Sequence, residues 1–159
     1  MISNIMINDP FLKKFCYIKS NGLDNENINT NLSDLFNDTI SFGEYKTDKS
    51  PLWSINIYNF DGHDCRIDIS LNNNGLVHPN TLKRIGFMLA DYMFIQLNLE
   101  RCTLHIRASN YKSIRIGEFF GFKLEGIKRN GFDNPKEDLV IMGLLKSECS
   151  WIGENKHVN

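Results

Sequence analysis

The side chains that could move a proton lie on the polar faces of two short alternating segments and in the turn before one of them. Asp68 is on the polar side of CRIDISL, and His105 is on the polar side of CTLHIR. A carboxylate in such a place can accept a proton directly or through water, and a histidine titrates near neutral pH. The turn before CRIDISL adds two further candidates, His63 and Asp64. A solvated surface charge and a satisfied structural histidine are the alternative interpretations of these groups.

The elements that must position these groups are best specified between Cys102 and Arg129. The first six residues alternate between apolar and polar, which predicts a half-buried strand. Asn110 can cap a helix over Lys112 to Phe120, because its side-chain carbonyl can accept from the first free N–H groups. Gly121 suits the left-handed position that ends a helix, and Phe122 to Ile127 is predicted to be extended.

Upstream, the sequence predicts antiparallel strands followed by one long helix. Ser41 to Thr47 and Leu52 to Phe60 are predicted strands, the second because it is rich in β-branched and aromatic residues. Asp61-Gly62 favours a hairpin turn into the third strand, CRIDISL. Pro79 to Leu97 carries apolar residues at helical spacing, with the proline in its first turn.

Two short helices are predicted near the start of the chain and a buried strand near its end. Pro10 to Ile18 and Leu32 to Ile40 are predicted as short helices. Leu139 to Leu145 is a nearly continuous apolar run, which is typical of a strand buried on both faces. Trp53 and Trp151 are predicted to pack in or beside the core rather than to form a substrate cage.

Composition bounds the function classes. A length of 159 residues suits one domain, and 42% hydrophobic and 11% aromatic residues are typical of a globular protein. The net charge of -1, without a basic stripe, argues against a nucleic-acid binder. The four cysteines lie far apart without a CxxC pair, so no metal site is predicted and reduced cytoplasmic thiols are expected. Neither a signal peptide nor a span of ~20 apolar residues is predicted.

One stretch carries a family resemblance. From Asn110 to Arg129 the chain reads N-x-x-S, a short helix, GFKLEGI and then an arginine. This pattern and the element order resemble the GNAT superfamily of acetyl-CoA-dependent N-acyltransferases. The resemblance covers residues 52–151, whereas residues 1–40 match only weakly. The ending ECSW and the stretch YNFDGHD are similar to the small GNAT proteins of tailed phages and prophages.

The resemblance implies a fold and a way to hold acetyl-CoA. It implies a single α/β (α+β) domain over residues 1–159, with a mixed central sheet, antiparallel N-terminal strands, one long helix and a C-terminal strand–helix–strand unit. Acetyl-CoA would lie between a splayed fourth strand, Arg66 to Leu71, and fifth strand, Thr103 to Arg107. Its pyrophosphate would lie at the start of the long helix, where free N–H groups favour anions. The cofactor-binding residues implied are Ile69, Ser70, Leu71, Val77, Thr81, Leu82, Lys83, Arg84, Asn110 and Ser113.

The sequence departs from the family pattern in two places. The usual glycine-rich pyrophosphate loop is replaced by VHPNTL, which has no glycine and includes a proline without an N–H. Side-chain donors on Thr81, Lys83 and Arg84 could bind phosphate instead, and a solvated first turn is the alternative for the two cations. The tyrosine that many GNAT enzymes use as an acid, four residues after the serine, is replaced by Gly117. Ser113 could donate that proton, and an ordinary first-turn residue of a short helix is its alternative.

Two functional hypotheses follow from the resemblance. The first is an N-acetyltransferase that transfers an acetyl group to a primary amine, with Asp68 and Ser113 as catalytic residues. The acceptor would be a protein N-terminus, a lysine or a small amine, and a homodimer is possible. The second is a catalytically weak or inactive GNAT-fold phage protein that acts in the virion or binds a host factor. The expected location is the cytoplasm of a host bacterium, or the virion, without nucleic-acid or membrane partners.

Overall fold

The structure is a computed structural model that describes residues 16–19, 39–45, 51–71 and 78–153. Within these ranges, seven strands form a sheet in the order β1-β2-β3-β4-β5-β7-β6. The strands are β1 (Cys16–Lys19), β2 (Thr39–Tyr45), β3 (Pro51–Tyr58), β4 (Arg66–Leu71), β5 (Arg101–Arg107), β6 (Lys123–Phe132) and β7 (Glu137–Leu145). The helices are α1 (Pro79–Ala90), continued by a π-helical segment (Asp91–Gln96), and α2 (Tyr111–Phe120), with a 3-10 turn at Lys146–Glu148.

The sheet is mixed, as the sequence predicts. β1 to β4 pair antiparallel in chain order, β5 joins β4 in parallel, and β7 pairs antiparallel with both β5 and β6. Parallel neighbours need a long crossover connection, and α1 with its π-helical continuation lies in that connection between β4 and β5. The predicted α/β class, antiparallel N-terminal strands and C-terminal strand–helix–strand unit are therefore confirmed.

The helix predictions near the N-terminus are wrong where the structure describes them. Cys16 to Lys19 form a strand, although the helix was predicted to extend through Ile18. Thr39 and Ile40 belong to β2 rather than to the end of a second helix. The two segments pair antiparallel, so hydrogen bonding between distant segments overrides a weak local helical pattern. The remaining residues of both predicted helices lie outside the described ranges.

The predicted long helix changes its winding before it ends. After Ala90 the hydrogen bonds widen, and the N–H of Leu97 donates to the carbonyl of Tyr92, five residues earlier, at 3.0 Å. Three consecutive large side chains in this segment, Tyr92, Met93 and Phe94, are buried. No helix in the described part of the chain is both long and apolar enough to cross a bilayer.

The core lies between the sheet and the two helices. Trp53 is 3% exposed on β3, as its predicted packing role requires. Trp151 contacts the ring of Phe87 edge-on at 5.1 Å between centroids, and its indole N–H donates to the carbonyl of Phe120 at 2.9 Å. Trp151 also contacts the backbone of α1 at Gly86, where an added Cβ would lie 3.0 Å from the indole ring. The C-terminal segment thereby connects α1 with α2.

Both predicted ends of α2 are confirmed. The side chain of Asn110 accepts a hydrogen bond from the N–H of Ser113 at 3.1 Å, which satisfies a donor that the first turn leaves free. Gly121 ends the helix with φ at 94°, a conformation that glycine adopts without steric cost. These two residues fix the length of α2 and therefore the point where β6 begins.

Candidate functional site

The central feature of the candidate site is the gap between β4 and β5. The two strands pair only at Arg66 with Thr103 and at Ile67 with Leu104, although each strand continues beyond these pairs. The carbonyl of Cys65 accepts from the N–H of Thr103 at 2.9 Å. Because alternate residues of a strand direct their backbone groups to the same side, Ile69 and Leu71 direct theirs toward β5 as well. The strands therefore diverge as the sequence resemblance implies.

Ser113 bridges this gap from α2. Its hydroxyl donates to the carbonyl of Ile69 at 3.0 Å, and the side chain is 2% exposed. Asn110 lies one turn earlier and caps the same helix. The structure thus brings three of the predicted cofactor-binding residues, Ile69, Asn110 and Ser113, together at the start of α2. It also gives the Ser113 hydroxyl a structural partner.

The start of α1 has few backbone donors left for an anion. Pro79 has no N–H, and the N–H of Asn80 donates to Nδ1 of His78 at 3.2 Å. The N–H groups of Thr81 and Leu82 donate to the carbonyl of His78 at 2.9 and 3.1 Å. The positive end of the helix dipole remains, so an anion here would depend on it and on side chains.

The other predicted cofactor-binding residues differ in exposure and do not form one cluster in the described part of the chain. Lys83 is exposed, Thr81 and Arg84 are half-buried, and Leu82 shares an apolar pocket with Ile69 between the sheet and the helices. Ser70 and Leu71 lie at the end of β4, where the structure describes the backbone alone. Val77 lies outside the described residues.

A group of titratable side chains lies on β3, β4 and β5. The hydroxyl of Tyr58 donates to Oδ1 of Asp68 at 3.1 Å. Asp68 and His105 each follow the last paired residue of their strand, so they lie at the point where the strands separate. We call Tyr58, Asp68 and His105 the polar face.

Burial and charge set the protonation of the polar face. Burial raises the pKa of Asp68, while the Tyr58 hydrogen bond and the charges of His105 and Arg66 lower it, with a net rise. Burial and the charge of Arg66 lower the pKa of His105. Burial and Asp68 raise the pKa of Tyr58 to about 12, so its hydroxyl stays protonated and keeps donating at neutral pH.

Sequence reasoning missed Tyr58. It is the last residue of β3 and pairs with Arg66, which places it diagonally across from Asp68 on the same side of the sheet. The register can be predicted from the sequence, because LWSINIYNF and CRIDISL both alternate and an Asp-Gly turn joins them. A cross-strand pairing worked out from the hairpin would have found it.

Asp64, a further candidate base, has structural partners. Oδ2 of Asp64 accepts from the Thr103 hydroxyl at 2.7 Å and forms an ion pair with Nε of Arg101 at 3.3 Å. Arg101 extends the network to Glu125 on β6, with 2.7 Å between Nη2 and Oε2. His63 is exposed in the turn. Asp64 therefore joins the start of β4 to β5 and β6, away from the separated ends of the strands.

Arg107 fixes the turn between β6 and β7 against the end of β5. Its guanidinium lies 4.1 Å from the centre of the Phe132 ring and donates to the carbonyls of Asn134 and Pro135 at 3.2 and 3.3 Å. An ion pair with Glu137 at 3.4 Å adds to these contacts. The turn is thereby held close to the end of β5 that follows His105.

α2 and the sheet approach each other closely at Gly117. A Cβ at this position would lie 2.9 Å from Cδ1 of Leu104 and 3.2 Å from the sulfur of Met142. The position four residues after Ser113 therefore faces the core and has no space for a tyrosine. This packing gives a physical reason for the missing family tyrosine.

Comparisons with known proteins agree with this geometry. No protein-family model matches the sequence, and no curated protein matches it. Among solved structures, a probable acetyltransferase matches with 28% identity and a TM-score of 0.58, over 69% of this chain and 63% of that chain. A spermidine N-acetyltransferase from Vibrio cholerae, solved in complex with CoA and spermine, matches with 20% identity and a TM-score of 0.56, over 69% of this chain and 67% of that chain.

A dodecameric structure of spermidine N-acetyltransferase from Vibrio cholerae matches with 20% identity and a TM-score of 0.57, over 74% of this chain and 70% of that chain. These matches agree with the mixed α/β fold of the chain. The protein therefore has the fold of the GNAT acetyltransferases.

Proposed function

We propose that the protein is an acetyl-CoA-dependent N-acetyltransferase with a primary amine as acceptor. The observation that carries the proposal is the separation of β4 from β5 beside the polar face. The gap offers backbone groups to an extended cofactor arm, and the polar face offers a proton acceptor to an amine. Both are needed for acyl transfer to nitrogen, and here they meet at the same point of the sheet.

The backbone of β4 fits an amide-containing cofactor arm. Ile69 and Leu71 direct N–H and C=O groups into the gap, and of the four the carbonyl of Ile69 is held by Ser113. At the start of α1, the side chains of Thr81 and Lys83 would hold the phosphates in place of the missing glycine-loop amides. When bound, acetyl-CoA would supply the acetyl group as an activated thioester.

Asp68 is the proposed general base. Its carboxylate would take a proton from the acceptor ammonium, directly or through water, which leaves the neutral amine able to attack. A raised pKa suits this role, because a carboxylate with higher proton affinity is a better base. Ser113 is the candidate proton donor to the leaving thiolate, a role in which its hydroxyl would release the Ile69 carbonyl.

The acceptor class is proposed from both the site and the structural neighbours. One neighbour was solved with spermine, a polyamine, and the carboxylate of Asp68 would attract any alkylammonium group. A small amine, a lysine and a protein N-terminus all carry that group. The proposed setting is the cytoplasm of a bacterium that hosts a phage encoding the protein, and self-association is part of the proposal.

A second candidate function is a GNAT-fold phage protein without turnover, which acts in the virion or binds a host factor. The observation that favours it is that polar groups which a cofactor would need already form hydrogen bonds within the protein. His78 holds the first backbone donors of α1, and Ser113 donates to Ile69. The two candidates differ in whether acetyl-CoA binds.

Calorimetry with acetyl-CoA, followed by a thiol-release assay with spermine, lysine and a peptide with a free N-terminus, tests the proposal. The expected result is micromolar binding and acceptor-dependent release of CoA. Asp68→Asn should abolish most release while keeping acetyl-CoA affinity, and Asp133→Asn, on the exposed β6–β7 turn, is the matched control. Absence of binding at millimolar acetyl-CoA would favour the second candidate.

A further inference from the structure

Tyr58 contacts the carboxylate that the proposed function uses as its base. It lies on β3, one strand further from the gap than Asp68, and its hydroxyl donates to Oδ1 at 3.1 Å. Asp68 is half-buried and follows the last residue of β4 that pairs with β5. Tyr58 therefore holds one oxygen of this carboxylate at the point where β4 and β5 separate.

We propose that Tyr58 is a positioning residue that orients Asp68 toward the acceptor amine and keeps it ionised. The inference rests on the proposed function and adds to it a residue that no family motif supplies. A phenol attached to a strand is rigid, so its hydrogen bond fixes the carboxylate with little loss of side-chain entropy. Fixing one oxygen limits rotation of the carboxylate, which holds the second oxygen in one direction.

The charged and titratable groups around Asp68 come from three strands. They are Tyr58 on β3, Arg66 on β4 and His105 on β5, and His105 also faces Asp64 and Lys128. Tyr58 stabilises the ionised carboxylate by donating to it, as Arg66 and protonated His105 do by charge. Removal of the hydroxyl alone should therefore make Asp68 easier to protonate.

The test compares the wild type with Tyr58→Phe, which keeps the ring and removes the hydroxyl. The carboxyl carbon of Asp68, assigned by comparison with Asp68→Asn, is followed by NMR during a pH titration. Its midpoint should lie at higher pH in Tyr58→Phe than in the wild type. Tyr111→Phe removes an exposed hydroxyl from α2 and should leave the midpoint unchanged.

Acetylation kinetics give the second readout. In Tyr58→Phe, kcat should fall about tenfold, with the acidic limb of its pH profile moved to higher pH, while KM for acetyl-CoA is unchanged. An Asp68 midpoint and a kcat profile both equal to the wild type would overturn the inference alone. A wild-type protein that transfers no acetyl group would overturn the proposed function together with the catalytic purpose of Tyr58, even if the NMR midpoint moves.

Discussion

The hydroxyl of Ser113, on α2, donates a hydrogen bond to the backbone carbonyl of Ile69, on β4, at 3.0 Å. Ile69 lies beyond the last residue of β4 that pairs with β5, so this carbonyl has lost its place in the ladder. A buried carbonyl without a partner would be costly, and Ser113 satisfies it from the neighbouring helix. The N-x-x-S motif therefore has a structural purpose in this chain: Asn110 starts the helix and Ser113 stabilises the separated strand.

Ser113→Ala should destabilise the protein. The substitution leaves the Ile69 carbonyl buried without its donor, at a cost of about 1–3 kcal/mol. Urea unfolding monitored by circular dichroism measures the loss, and Ser147→Ala, at an exposed position, is the control that should change little. Equal stability of the two variants would contradict the role given to Ser113.

Asp68→Asn should lower acetylation about 100-fold or more, because it removes the proposed base. At neutral pH the same substitution should increase the stability of the folded protein. Since the folded state raises the pKa of Asp68 above its ordinary value of 3.8, the protonated form favours folding, and this contribution is lost as the pH rises through the folded pKa. Asparagine stays neutral, so the variant should melt slightly above the wild type at pH 7.

The melting difference between Asp68→Asn and the wild type should shrink as the pH falls below the folded pKa of Asp68. Scanning calorimetry at pH 7 and pH 4 checks this trend. Asp133→Asn, on the exposed turn between β6 and β7, should show no such trend. A variant that is less stable than the wild type at pH 7 would mean that the ionised carboxylate stabilises the fold.

Gly117→Ala should be destabilising although alanine is the better helix former. The new Cβ would lie 2.9 Å from Leu104, and overpacking of this kind costs about 1–3 kcal/mol, against a gain of about 1 kcal/mol in helix propensity. Gly126→Ala is the matched control, because nothing lies within 4 Å of its added Cβ. Thermal unfolding of the two variants should separate them clearly, with Gly126→Ala close to the wild type.

Trp151→Phe should lose about 1 kcal/mol of stability through the missing hydrogen bond to the Phe120 carbonyl. The phenylalanine ring can keep part of the contact with Phe87, so the fold should remain. Chemical unfolding measures the free-energy change. A loss above about 3 kcal/mol would show that indole packing, rather than the hydrogen bond, dominates.

The sequence predicted the elements whose signals are local and strong. The alternation of CRIDISL, the cap at Asn110 and the glycine at position 121 each depend on neighbouring residues, and the structure has all three. The helices predicted near the N-terminus were wrong at Cys16 and Thr39, because pairing between residues twenty or more positions apart decides their conformation. The π-helical turn after Ala90 was not predicted, because the apolar spacing of Pro79 to Leu97 is that of a regular helix.

The candidate site was predicted in part. Asp68, Ile69, Asn110 and Ser113 meet at the gap or at the start of α2, but their internal partners needed the structure. Tyr58 is separated from Asp68 by ten residues and meets it only through strand register. The sequence showed that the glycines of the family loop are missing. Only the structure shows that the first backbone N–H groups of α1 donate to His78.

The separation of β4 from β5 also sets how fast the centre of the sheet exchanges its amide hydrogens with solvent. The N–H of Ile69 points into the gap, where the ladder has ended, although β4 and β5 both have neighbours on their other sides. This amide should lose its proton as quickly as an edge-strand amide, within a sheet whose surrounding amides are slow. A cofactor arm that pairs with β4 would slow that exchange, so the rate at one central amide reports occupancy without any need for turnover.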